Sequence, residues 1–219
     1  MVKFGQQFFY YFTFILFSFL IPLNAKINFM IRDLIIKNRS YRRFDSTVKI
    51  SAEQIKNWID LGRMSASGRN SQPLKYVIVT DSEVCGKIFP FLGWAGYLNN
   101  WKGPAENERP VAYVAILKDR KISDNHYCDD GIAVQSMMLG AVEESYGGCI
   151  IGSVNKSKVA RLLELDEKLE ILWLVALGKP AEKVVLEVAK DNDIKYWRDE
   201  DDIHHVPKRP LNEIVIKSI

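Results

Sequence analysis

With 219 residues the chain can build one substantial core, since domains commonly run to roughly 100–200 residues, and 47% hydrophobic with 26% charged residues excludes a disordered or fibrous chain. The net charge of +3 falls to +1 from Met30 onward, because Lys3 and Lys26 are the only charged residues before it, and this excludes the strongly basic footprint of a nucleic-acid-binding domain. Cys85, Cys128 and Cys149 contain no C-x-x-C pair, so no disulfide framework or zinc site is indicated, and free thiols suit a reducing, cytoplasmic compartment.

Residues 1–29 stand apart. The sixteen residues from Phe8 to Leu23, FFYYFTFILFSFLIPL, would span about 24 Å as a helix, short of the roughly 30 Å hydrocarbon core, so a membrane-spanning helix is not expected. Lys3, the apolar block and "LNA" resemble a secretory signal, although Leu23 fits the outer cleavage position poorly. The reading carried forward is that translation starts at Met30 and that residues 1–29 lie outside the fold. A functional signal or anchor in residues 8–23, exporting or tethering the chain, is the alternative, and an ordinary packed segment is a third.

From Met30, "IRDLIIKN" sets Ile31, Leu34 and Ile35 on one helical face and delivers the turn "NRSYRRF" (38–44). Ser51 and Gln54 form a capping box for a helix whose apolar stripe is Ile55, Trp58, Ile59 and Leu61. It ends in "SASGRNSQP", which favours irregular backbone. The runs 75–80, 111–117 and 172–178 are β-branched and aromatic and read as three central buried strands. Between them lie helical stretches after Asp81, through "DDGIAVQSMMLGAVEESYGG", and after Asn155, so the class is mixed α and β around one sheet. Residues 91–110, with Trp94, Tyr97 and Trp101, have no period; they suit either a lid over a ligand or simple packing against the sheet.

In the turn, Arg39, Ser40, Arg42 and Arg43 suit a phosphate monoester, because guanidinium forks match phosphate oxygens and a hydroxyl completes the cradle; a solvated basic turn is the competing reading. Asn70 and Gln72 can donate to and accept from a heterocycle, with Gly68 allowing close approach. Gly147, Gly148 and Gly152 would let main-chain N–H groups face a flat ligand. No G-x-G-x-x-G or G-x-x-x-x-G-K-[ST] cradle occurs. "HYCDD" (126–130) matches no metal spacing and reads as a cap, by Asp129 or Asp130, for the helix that follows. "RDEDDIHH" (198–205) reads as a solvated charge run, and three histidines leave little support for nucleophilic hydrolysis.

Taken in order, "NRSYRRF", "SASGRNSQPLKYVIV", "DDGIAVQSMMLGAVEESYGGCIIGS", "WLVALGKPAE" and "VPKRPL" resemble the FMN-dependent nitroreductase family over nearly all of residues 30–219. The resemblance implies an α+β sandwich, with a mostly antiparallel central sheet flanked by helices, in an intertwined homodimer that holds FMN at its interface. By position, Arg39, Ser40 and Arg42 would serve the FMN phosphate, with Arg42 also within reach of the polar edge of the ring. Asn70 and Gln72 would meet the flavin or its ribityl chain, the backbone at Ile151 and Gly152 would lie near N5 and O4, and Lys208 and Arg209 would close on the phosphate. The helix from Asp130 to Glu144 would be buried at the dimer interface. Two departures stand out: Asn38 replaces the first arginine of an Arg-Arg-Ser start, and Ile151 replaces a glutamate found in one branch.

The function implied is transfer of hydride from NADH or NADPH through flavin N5 to a small electron-poor acceptor of nitroaromatic or quinone type. No catalytic side chain, metal or nucleic acid is called for, and a membrane enters only if residues 1–29 act as an anchor. Two alternatives remain at this stage. One is a flavin enzyme of the same fold with another reaction, such as reductive dehalogenation or flavin breakdown. The other is a non-catalytic protein that binds FMN or another phosphorylated ligand.

Overall fold

The computed structural model describes residues 30–219, so the expectations for residues 1–29 lie outside the described residues. Its frame is an antiparallel sheet built on β5 (Leu169–Pro180), a strand of 12 residues. Along one edge β5 pairs with β3 (Ala112–Asp119), which pairs with β2 (Leu74–Val79). Along the other edge it pairs with β4 (Gly147–Ile151), and its C-terminal end also pairs with the two-residue β1 (Phe44–Asp45).

The strands read as continuous apolar runs because the sheet is covered on both faces. Alternate residues of β3 enter two cores. Ala112, Val114 and Ile116 pack with Trp58, Met137 and Met138 under α2 (Ala52–Arg63) and α4 (Asp129–Glu143). Tyr113, Ala115 and Leu117 pack with Ile88, Cys149 and Val159 under α3 (Ser82–Ile88) and α5 (Lys156–Leu162). Helix α2 begins with the capping box foreseen at Ser51 and Gln54. It lies close against α4 because residue 140 is glycine: a Cβ there would overlap the side chain of Leu61.

Three central strands and their helices follow the sequence expectation. The stretch 147–151, to which the sequence assigned no strand, forms β4, bonded along its length to β5. Gly148 is required there because a Cβ would run into the carbonyl oxygen of Ala176. A small second sheet also appears, with β6 (Val184–Val188) parallel to β8 (His204–Lys208) and β7 (Trp197–Arg198) antiparallel to β8. Two short helices complete the described chain, α1 (Ile31–Lys37) and α6 (Leu211–Ile214), and neither buries a residue. Among the described residues no helix is long and apolar enough to cross a membrane.

Candidate functional site

The arginine turn is held by its own backbone. Ser40 bridges Gly148 in parallel, and the Tyr41 N–H donates to the Gly148 carbonyl at 2.9 Å, so the turn docks on the free edge of β4. Just beyond β5, the carboxylate of Glu182 accepts the backbone N–H groups of Arg42 and Arg43 and an ion pair from Arg198 at 2.8 Å. Both backbone donors are satisfied by one buried acid. The Arg43 side chain, expected to serve a phosphate, instead pairs with Glu108 at 3.5 Å and Asp202 at 3.2 Å and does not line the cavity that Arg39 and Arg42 share.

Arg39 donates from Nη2 to the Ile35 carbonyl at 2.7 Å, while its Nε is buried without a partner. Burial, partly offset by Tyr41, pulls its pKa below the ordinary value, as expected for a guanidinium without a counter-charge. Arg42 donates from Nη1 to the Ser40 carbonyl at 3.2 Å, lies 3.2 Å from His204 Nε2, and stacks over the Tyr196 ring at 4.9 Å. These two side chains, with Ser40 and Lys208, open on a cavity of about 370 Å³ whose walls also include Asn38, Gln135, Met138, Ile150, Tyr196 and His204. Among the described residues no aspartate or glutamate lines it. Three cations and a hydroxyl around this hollow have the chemistry that suits an anion, in a volume at the lower end of small-molecule pockets.

The other residues singled out from the sequence lie elsewhere. Gln72 lines a second cavity, between α2 and the start of β2, and its amide bonds the Asn70 side chain at 3.2 Å. Arg69, Asn70 and Gln72 all carry positive φ, at 54°, 55° and 49°, a left-handed cluster rare for residues with side chains and of the kind that collects at functional loops. Ile151 is buried in the core, whereas its neighbour Ile150 is 45% exposed and faces the arginine cavity. Gly152 lines a shallow pocket beside Phe91–Gly93. Arg209 turns away, to Asn192 at 2.7 Å and Glu213 at 3.4 Å.

Two expectations are corrected. Asp129 does not cap its own helix; its carboxylate accepts from the Ser67 hydroxyl at 2.6 Å and the Gly68 N–H at 2.8 Å, pinning the 68–73 turn, while Asp130 accepts from the Trp173 indole. The run 198–205 is not solvated throughout, because the Arg198 side chain is 9% exposed and His204 is 1% exposed. Tertiary packing accounts for both, since neither partner lies within a helical turn in sequence.

The loop 91–110 does two things at once. Trp94 packs into the core beneath α3 and α5, while Tyr97 meets Tyr196 with ring centroids 4.9 Å apart and Trp101 lies under Arg198 at 4.5 Å. Sequence reasoning missed Glu182, Gln135, Tyr196 and His204. Only the alternation of β8, which turns His204 inward and His205 outward, left a signal that could have found one of them. Among the described residues no cluster of three or more His, Cys, Asp or Glu could hold a metal ion.

Comparison with known proteins decides the family. The family model "Nitroreductase family" matches residues 35–97 and 88–179. The chain belongs to the nitroreductase family. Among curated proteins, this nitroreductase-family chain is 28% identical over 161 residues to the NADPH-flavin oxidoreductase of Vibrio harveyi, covering 68% of the chain and 65% of that protein's length. Its fold matches a nitroreductase from Exiguobacterium sibiricum solved in complex with FMN, with TM-score 0.62, 18% identity, and coverage of 78% of the chain and 98% of that structure. It also matches the NADPH:FMN oxidoreductase of Vibrio harveyi complexed with NAD+, with TM-score 0.59, 23% identity, and coverage of 84% and 80%. At these identities the structural likeness establishes the nitroreductase fold.

Proposed function

We propose that residues 30–219 form an FMN-dependent oxidoreductase that takes hydride from NADH or NADPH and delivers electrons to a small electron-poor acceptor of nitroaromatic or quinone type. The observation that carries this reading is the cavity with Arg39, Arg42 and Lys208 on its wall and no carboxylate of a described residue, in a chain of the nitroreductase family. The buried, unpaired Nε of Arg39 fits a ligand that brings its own negative charge.

In this reading Arg39, Ser40, Arg42 and Lys208 hold the FMN phosphate. Met138 and Ile150 supply apolar wall, and Asn38 and Gln135, already bonded to each other at 3.2 Å, supply polar edges. Bound there, FMN would supply the two-electron chemistry that links nicotinamide to acceptor. The chain's own part is to bind, orient and exclude water, and no side chain has to act as acid or base. The names of the relatives, an NADPH-flavin oxidoreductase and an FMN-bound nitroreductase, agree with this.

Within one chain Gln72 lines a different cavity from the arginines, so the reading assigns the 68–73 turn to the flavin of a second copy, in a homodimer. Exposed apolar residues at both ends of the described chain, Ile31, Ile35 and Ile36 with Leu211, Ile214 and Ile216, support such an exchange of arms. Free thiols at Cys85, Cys128 and Cys149 fit a cytoplasmic setting.

The test is an absorbance spectrum of the purified 30–219 protein followed by anaerobic addition of NADH or NADPH. An oxidised flavin spectrum bleached by either nucleotide supports the enzyme. Flavin retained without bleaching would mark a binding protein, and a colourless chain that cannot be reconstituted would overturn the site.

A further inference from the structure

His204 is the most buried polar side chain on the wall of the arginine cavity, 1% exposed, and its Nε2 stands 3.2 Å from Arg42 Nη1. A guanidinium only donates, so Nε2 must carry the lone pair and the ring proton must sit on Nδ1. That Nδ1 is itself buried without a partner. The tautomer is therefore dictated by Arg42, at the expense of an unsatisfied N–H on the other side of the ring.

We infer that His204 is a positioning residue for the phosphate end of the site: as a neutral acceptor it fixes the Arg42 guanidinium in the orientation that meets the FMN phosphate. This rests on the flavin reading above. The clamp on Arg42 has three legs, the Ser40 carbonyl at 3.2 Å, His204, and the face of Tyr196, whose ring centroid also lies 5.2 Å from that of His204. Among the described residues no carboxylate pairs with the Arg42 side chain. The choice of partner matters chemically. An aspartate or glutamate there would neutralise Arg42 and compete with the phosphate, whereas a neutral acceptor orients the guanidinium and leaves its charge for the ligand.

The surroundings keep the ring neutral. Arg42 and Arg198 face it, and His205 adjoins it on β8; the nearby carboxylate of Glu182 is engaged by Arg198 and by the arginine turn. Burial, reinforced by those three cations, lowers the His204 pKa to about 4. A second proton would turn Nε2 into a donor pointing at a donor.

The experiment measures FMN dissociation constants for the wild type, His204→Leu, His204→Gln, Arg42→Ala and the Arg42→Ala/His204→Leu double variant. His204→Leu should weaken FMN about tenfold, the effect of losing one hydrogen bond to a charged group. His204→Gln, which can offer a carbonyl near the position of Nε2, should restore most of the affinity. In the Arg42→Ala background His204→Leu should change nothing further, because the residue acts only through Arg42. Should His204→Leu not fold, His204→Asn, polar but too short to reach Arg42, replaces it in the cycle and must behave the same way. Unchanged affinity in His204→Leu, equal losses with and without Arg42, or a glutamine variant as weak as leucine would each overturn the proposal. A wild-type chain that takes up no FMN fails before any substitution is made, and overturns the flavin reading together with this one.

Discussion

Glu182 and Arg198 form an ion pair at 2.8 Å with side chains only 1% and 9% exposed, and the same carboxylate accepts the backbone N–H groups of Arg42 and Arg43. One acid thus fastens the arginine turn to the second sheet. Removing one partner of a buried pair leaves the other charged and unsolvated, at a cost of about 3–5 kcal/mol. Glu182→Ala should lower the melting temperature on the order of 10 °C at this chain length and weaken FMN retention. An unchanged melting curve with full flavin content would show the acid to be dispensable.

Arg39 and Arg42 carry the phosphate assignment. Neither side chain is paired with a carboxylate of a described residue, so their joint replacement removes no structural ion pair. Arg39→Ala/Arg42→Ala is expected to purify as a folded, colourless protein. Circular dichroism and flavin absorbance on the same sample read this, and a yellow double variant would place the phosphate elsewhere.

His204 and His205 are neighbours on β8 with opposite protonation preferences. Asp199, 3.0 Å from Nε2, and then Glu187 on Nδ1 raise the His205 pKa above 6.5. The folded chain holds that proton more tightly than the unfolded chain, so this stabilisation is complete below about pH 6.5 and fades as pH rises through the folded pKa. For His204 the folded pKa, lowered to about 4, lies below the unfolded one; its contribution is complete above the ordinary value of 6.5 and is lost as pH falls toward 4. Melting temperature should therefore fall on both sides, and His205→Gln should flatten the alkaline side alone. If His205→Gln keeps the wild-type alkaline slope, the carboxylate clamp on His205 is not its source.

Helix α2 begins with reciprocal bonds between Ser51 and Gln54, each at 3.1 Å. Ser51→Ala leaves one terminal N–H unsatisfied and should cost about 1 kcal/mol. Urea titration measures it, with an unchanged slope expected because the surface exposed on unfolding is the same.

The sequence legibly marked what local chemistry controls. The capping box at Ser51 and Gln54 announced α2, and the β-branched and aromatic runs announced β2, β3 and β5, most fully at β3, which is buried on both faces and apolar almost throughout. The cluster of arginines between residues 39 and 43 marked a candidate anion site by guanidinium density alone, and of its members Arg39 and Arg42 line one cavity while Arg43 pairs with Glu108 and Asp202. Strand β4 was not legible, since glycines are poor strand formers and Gly148 is explained only by how closely the neighbouring carbonyl of Ala176 lies.

Only the tertiary structure decided which residues share a wall. Gln135, Tyr196, His204 and Lys208 reach the arginine turn from α4, the segment before β7, and β8, and Glu182 reaches it from the end of β5. Gln72, equally conspicuous in sequence, lines another cavity and carries Asn70 on its amide, in a turn pinned by Asp129. Residue type and spacing set charge, capping and strand character, which act over a turn or two of chain. Convergence of side chains from distant segments depends on how helices and sheets pack, and that is settled by burial summed over the whole core rather than by any short stretch.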